Sequence, residues 1–202
     1  MMSDSRQHRP APPAKLNPTT RFNGKRRAMF VTADDTTKIY DIVGSPIGDL
    51  VLAGDGTVLT GLYMETDQAR IRTDPAWTHR SGAYPEVAAQ LAAYFAGDLH
   101  TFDLPLAPQG TEFQRAVWSA LTDIPYGRTT TYARLAADID RPTAIRAVGA
   151  ANGRNPIAVI IPCHRVIGTD GSLTGYGGGL PRKRTLLDLE SGQLGAMSTN
   201  RE

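Results

Sequence analysis

Ile160-Ile161-Pro162-Cys163-His164-Arg165-Val166-Ile167 decides how the chain is read, because it holds the only cysteine among 202 residues. The apolar, largely β-branched run leading in, Ala158-Val159-Ile160-Ile161, predicts a buried strand. Pro162 cannot donate to a ladder, so that strand is expected to end there and leave Cys163 facing a cleft. Cysteine attacks as thiolate, and a nearby histidine can take its proton. Neighbours on extended chain point to opposite faces, so Cys163 and His164 need a turn or a bridging water before a proton can pass. Two readings stand here: a nucleophile with its base, or a small buried thiol beside a surface histidine.

A single cysteine excludes an intramolecular disulfide and a thiolate-built metal site, and it suits the reducing cytoplasm. The length allows one large domain or two small ones. No apolar run approaches the ~18 residues of a membrane span, and no signal-peptide pattern opens the chain. The net charge of +2 is unevenly spread. Residues 1–36 hold seven basic against three acidic side chains, 37–109 four against nine, and 110–190 ten against seven. The half carrying Cys163 is therefore basic, which suits a polyanion contact as well as an ordinary solvated surface.

Residues 1–36, rich in Pro and polar side chains, predict a disordered arm. Its Lys25-Arg26-Arg27 suits either non-specific nucleic-acid contact or a plain extension. Lys38–Val43, Asp49–Ala53 and Val58–Met64 predict three strands joined by short Gly-containing turns, an antiparallel meander. Residues 65–83 are polar and irregular. Pro85 opens a helix with Val87, Ala88, Leu91, Ala92 and Phe95 on one face, ending at Gly97. His100–Leu106 predicts a further strand. His79 and His100 read as surface residues, since no partners sit at metal spacing.

Thr111 is expected to cap a helix whose Phe113, Val117, Trp118 and Leu121 share a face. Ile124-Pro125-Tyr126-Gly127 breaks it. Thr131 caps a second helix and Thr143 a third, from Ala144 to about Asn152, across the turn Asp140-Arg141-Pro142. Two short helices about a tight turn, the second carrying Arg146, resemble a helix-turn-helix. The third helix is nearly bare: Ala144, Ala147, Gly149, Ala150 and Ala151 suit close core packing, an ordinary Ala-rich helix, or entry into a narrow groove. Interior Gly149 costs about 1 kcal/mol of helix propensity. Gly175-Tyr176-Gly177-Gly178-Gly179 is neither a Walker loop nor a dinucleotide fingerprint, and suits a planar ligand or a flexible connector. Pro181 starts the last helix, packed through Leu186, Leu187 and Leu189. Glu190 at its end opposes the helix dipole and so needs a cationic or hydrogen-bonding partner.

Pro162-Cys163-His164-Arg165-Val166, the Gly-Tyr-Gly-Gly-Gly loop, Ile-Pro-Tyr-Gly at 124–127 and Arg146-Ala147-Val148-Gly149 through Asn155-Pro156 together resemble the O6-alkylguanine-DNA alkyltransferase family. The match is strong over about 110–190, while 38–106 is similar to the family's less specific N-terminal domain. The resemblance implies an α+β fold: a small N-terminal antiparallel sheet with a helix, RNase H-like, over 37–106, then a mostly helical domain over 107–192. A flexible tail at 193–202 follows.

In that family the cysteine, here Cys163, takes the alkyl group from the guanine 6-oxygen in one turnover. The resemblance implies that His164 draws its proton through a water and that Glu190 holds His164. Asn155 would brace the turn between the recognition helix and the active-site strand. Arg146 would fill the space of the flipped nucleotide, and the small-residue helix with Gly149 would enter the minor groove. Tyr132 would push the phosphate and donate to the base. Tyr176 would stack on the base, with the Val166 carbonyl and Gly177 amide reading its edges. The implied partner is duplex DNA bearing O6-alkylguanine, met by a monomer, with cooperative assembly on DNA left open. No cofactor, metal or membrane is implied. The alternatives are a non-catalytic sensor that flips and flags the lesion, and a Cys-His hydrolase unrelated to DNA, for which no oxyanion device is encoded.

Overall fold

The structure, a computed structural model, describes residues 29–32, 38–64 and 75–192. The readings of the rest of the N-terminal arm, of 65–74 and of the tail lie outside the described residues. In chain order the strands are β1 (Met29–Phe30), β2 (Ile39–Val43), β3 (Leu50–Gly54), β4 (Leu59–Met64), β5 (Thr78–His79), β6 (Pro105–Leu106), β7 (Thr130–Thr131) and β8 (Val166–Ile167). The α-helices are α1 (Pro85–Ala96), α2 (Glu112–Leu121), α3 (Tyr132–Asp138), α4 (Ile145–Gly153) and α5 (Leu180–Glu190).

β2, β3 and β4 form the expected antiparallel meander. Short parallel strands extend it on both sides, giving the order β1-β6-β4-β3-β2-β5 and a mixed sheet. Met29–Phe30, inside the stretch read as an arm, pair in parallel with Pro105–Leu106. β3 is buried along its whole length, as a central strand should be. Helix α1 turns Val87, Leu91 and Tyr94 inward and stops at Gly97, whose φ of 83° is the left-handed C-cap glycine adopts without penalty.

The second half packs α2, α3 and α4 together. Thr111 caps α2 in a full capping box with Gln114, and Thr131 caps α3 through the Arg134 amide. The indole nitrogen of Trp118 on α2 donates to the Ala151 carbonyl on α4 at 2.8 Å. One continuous core runs through both halves and includes Leu52, Leu62, Tyr94, Trp118, Ile161 and Leu186.

Three expectations are corrected. Residues 158–161 are buried but form no strand. Only Leu62 and Ile157 bridge, while the Ile160 and Ile161 amides bond locally to Ala158 and Ile157. Prolines at 156 and 162 bracket the run, and Val159 sits at φ 68°, a conformation that β-branched residues rarely take and that ends any ladder. An apolar run reports burial, not extension. Second, Thr143 does not cap α4: the helix starts after Ala144 with no side-chain cap. Third, the strand expected over His100–Leu106 is confined to Pro105–Leu106.

Candidate active site

Cys163, His164 and Arg165 form one turn of 3-10 helix immediately after Pro162, and all three side chains are buried. The turn is what an extended chain could not supply, since it brings neighbouring side chains out of opposition. Strand β4 fixes where it lies: the Leu62 amide donates to the Pro156 carbonyl at 2.8 Å, and the Ala158 amide to the Leu62 carbonyl at 3.4 Å. Asn155 closes the approach, donating to the Ile161 carbonyl at 2.7 Å and accepting from the Ile157 amide at 3.0 Å.

Cys163 is 5% exposed. It opens on a cavity of about 170 Å³ whose lining includes Asn152, Asn155, Tyr176 and Gly177 on one side and Tyr63 and Met64 of β4 on the other. Burial pushes the thiol pKa up, against the opposing pull of the Asn155 amide and the Lys183 ammonium. The resting group is therefore a thiol and needs a base.

That base is held by Glu190. His164 Nε2 lies 2.8 Å from Glu190 Oε1, and both side chains are almost wholly buried. Arg165 donates through Nη2 to Oε1 at 2.8 Å and through Nε to Oε2 at 2.9 Å. The Gly127 amide donates to Oε2 at 3.2 Å, and the Tyr94 hydroxyl to Oε1 at 2.7 Å. Burial alone would raise the Glu190 pKa, but its partners His164 and Arg165 outweigh it and hold the carboxyl at about 2. An ionised carboxylate only accepts, so the ring proton sits on Nε2 and Nδ1 carries the free lone pair. Among the described residues Nδ1 has no hydrogen-bond partner. Burial lowers the His164 pKa while Glu190 raises it, which leaves a neutral imidazole ready to accept a proton.

The Ile-Pro-Tyr-Gly motif now has a physical reason. Gly127 adopts φ 69°, and a Cβ there would lie 2.8 Å from the Glu190 carbonyl oxygen. Only glycine puts its amide onto the carboxylate at that distance.

Lys183 is fully buried and donates to the Val166 carbonyl at 2.6 Å and the Thr174 carbonyl at 2.8 Å, joining β8 to the loop before Tyr176. The Val166 oxygen thus has one acceptor position occupied and one left. Tyr176 is half-buried in the cavity wall, and its hydroxyl has no partner among the described residues. Gly178 sits between Met64 and Tyr176, where a Cβ would meet both at 2.9 Å. Tyr132, at the start of α3, accepts from Thr174 Oγ1 at 3.2 Å and keeps its own hydrogen to donate. The α4 residue Arg146 is exposed, and a Cβ at Gly149 would make only ordinary contact with the Tyr132 ring at 3.7 Å.

Sequence reasoning therefore collects Cys163, His164, Glu190, Asn155, Val166, Tyr176 and Gly177 around one cavity and its buried backing, with Tyr132 joined to it through Thr174. It misses Tyr94, Arg165 and Lys183. For Arg165 a signal exists, since a charged residue inside an otherwise apolar run points to a buried pair. Nothing in the sequence points from Tyr94 to Glu190, 96 positions away.

Two family signatures cover most of the described chain: the 6-O-methylguanine DNA methyltransferase ribonuclease-like domain over residues 38–108 and its DNA binding domain over 112–192. The chain is 54% identical over 155 residues to a methylated-DNA–protein-cysteine methyltransferase of Methanosarcina barkeri, covering 77% of this chain and 98% of the relative. A protein of the same name from Mycobacterium bovis is 54% identical over 157 residues, covering 78% and 94%. The structure is similar to that of Mycobacterium tuberculosis OGT in complex with DNA, at TM-score 0.72 and 53% identity, over 77% of this chain and 94% of that one. With both signatures in order and relatives matched almost end to end, the chain belongs to the 6-O-methylguanine DNA methyltransferase family.

Proposed function

We propose that the protein repairs DNA by direct reversal, moving an alkyl group from the 6-oxygen of guanine to Cys163 in a single turnover. The observation that carries this is a buried thiol on a cavity wall, backed by a neutral imidazole that a buried carboxylate orients. A stacked base cannot present its substituent to that sulfur, so the nucleotide must leave the helix, at a cost of a few kcal/mol. Tyr176 and the Gly177 amide receive the base, and Tyr132 donates to it. The Cys163 proton passes to His164 Nδ1 through a bridging water. The thiolate forms the new S–C bond as the C–O6 bond breaks, and the departing guanine keeps the electron pair and takes a proton. Displacement at saturated carbon needs no oxyanion hole. The thioether is a poor leaving group and a second nucleophile has no place in the scheme, so each molecule acts once.

Duplex DNA is the partner, and O6-alkylguanine the lesion, read by a monomer in the cytoplasm with residues 37–106 and 107–192 as its two domains. No helix of the described residues is long and apolar enough to cross a membrane. Intact mass after incubation with O6-methylguanine duplex tests the scheme. The expected gain is one methylene, mapped to the peptide of Cys163; an unchanged mass refutes it. Arg146 is exposed on α4, and its proposed role is to fill the gap left by the extruded base. Arg146→Ala is expected to slow transfer from duplex at least ~10-fold, the scale of a lost contact worth more than about 1.4 kcal/mol, and to leave transfer from free O6-benzylguanine nearly unchanged. Parallel single-turnover rates on the two substrates decide it, and equal slowing removes Arg146 from flipping.

A further inference from the structure

We propose that Tyr94, on helix α1 of the N-terminal half, is a positioning residue of the proton relay, setting through Glu190 how tightly His164 holds a proton. The inference rests on the reading of Cys163 as alkyl acceptor and extends it to a part of the chain in which the sequence showed no chemistry.

Tyr94 is fully buried, and its hydroxyl donates at 2.7 Å to Glu190 Oε1. The same oxygen accepts from His164 at 2.8 Å and from Arg165 at 2.8 Å. Three donors thus compete for one carboxylate oxygen. Each draws electron density from it and weakens the attraction it exerts on the other protons. Burial beside the carboxylate keeps the phenol protonated, so Tyr94 is a permanent donor. Its ring is fixed by Phe95, Phe102 and Tyr126, which leaves the hydroxyl one direction to point.

Other groups face the relay. Tyr126 presents its ring from the turn after α2, Arg165 approaches from its own turn, and Lys183 acts on Cys163 and His164 from α5. Arg165 and Lys183 are present alike in wild type and variant, so they set a common background. His100 stacks on Tyr126 at 4.1 Å and is exposed, so it is the other imidazole close to the cluster and serves as the control.

Removing the Tyr94 hydroxyl leaves Oε1 to His164 and Arg165 alone. The His164 bond strengthens, its second protonation becomes easier, and the neutral base disappears at a higher pH. In Tyr94→Phe the acid limb of the single-turnover rate against pH is therefore expected to move upward by about half a pH unit, for a lost charge-assisted bond shared among several donors. The rate above the limb is expected to stay within about twofold of wild type, since the base itself is intact. Nitrogen-15 shifts of the His164 ring, followed over the same pH range, read the midpoint without catalysis.

A midpoint at the wild-type value overturns the proposal, whether the rate or the melting temperature falls or not, because a packing role lowers stability without moving the limb. A limb that moves with His100→Gln and not with Tyr94→Phe overturns it too. A wild type that takes up no alkyl group overturns the repair reading itself, and the relay with it.

Discussion

Cys163→Ala is expected to bind alkylated duplex and to take up no alkyl group, however long the incubation. The chain has one cysteine, so no second thiol can stand in. Cys163 is one of twelve residues lining the cavity, and the DNA contact proposed for the exposed Arg146 on α4 is untouched by the change. Replacing a buried thiol by a methyl removes one atom from a packed site and costs about 1 kcal/mol of stability, too little to unfold a domain. Electrophoretic mobility shift with O6-methylguanine duplex and intact mass on the same sample measure the two properties together. A sensor that merely flags the lesion makes the opposite prediction: no mass gain in the wild type, and equal function in the variant. Alkyl uptake by Cys163→Ala would move the acceptor elsewhere and end the assignment.

Glu190→Gln is expected to slow alkyl transfer by on the order of 100-fold and to destabilise the fold by about 3 kcal/mol. The carboxylate receives donors from Tyr94, Gly127, His164 and Arg165. An amide of the same shape offers one oxygen, and its NH2 turns a donor toward donors. Arg165 is then left buried with its charge uncompensated, and the His164 proton is no longer anchored on Nε2. The pH dependence has a definite sign. Glu190 is held at about 2 against an ordinary 4.5, so its stabilisation is fully present above 4.5 and is lost as pH falls through about 2. That difference amounts to about 3 kcal/mol, and Glu190→Gln should flatten the loss of stability across this window. Urea unfolding at neutral pH and near pH 3, with single-turnover rates at neutral pH, tests all three effects. An unchanged rate would remove Glu190 from the relay, and an unchanged acid sensitivity would show that the ion pair contributes no net stability.

The second half was more legible than the first, because its elements carry local signals. Thr111 and Gln114 announce the start of α2, and Thr131 the start of α3, through caps formed within a few residues. The unmet dipole at Glu190 announced a partner before any partner was known. The strand expected at 158–161 is absent for a reason that an apolar run does not announce: prolines stand at both ends, the bridge to Leu62 stops at Ile157, and Val159 sits at φ 68°. The same failure helps to make the site. A regular strand would have carried Cys163 and His164 to opposite faces, whereas the irregular, buried approach delivers them together on one turn.

By itself the order of residues put a cysteine beside a histidine, an acid in need of a partner at the far helix end and a glycine-tyrosine loop in one chain, and the roles proposed for them came with the family resemblance those motifs carry. Only tertiary structure decided who completes the cluster. Arg165, Lys183 and Tyr94 act through burial and through contacts made across 25, 17 and 96 positions. Burial is what turns an ordinary charge or hydroxyl into a strong local force, since it removes the water that would screen it. Which groups lose their water is a property of the folded core, and no stretch of the chain read alone contains it.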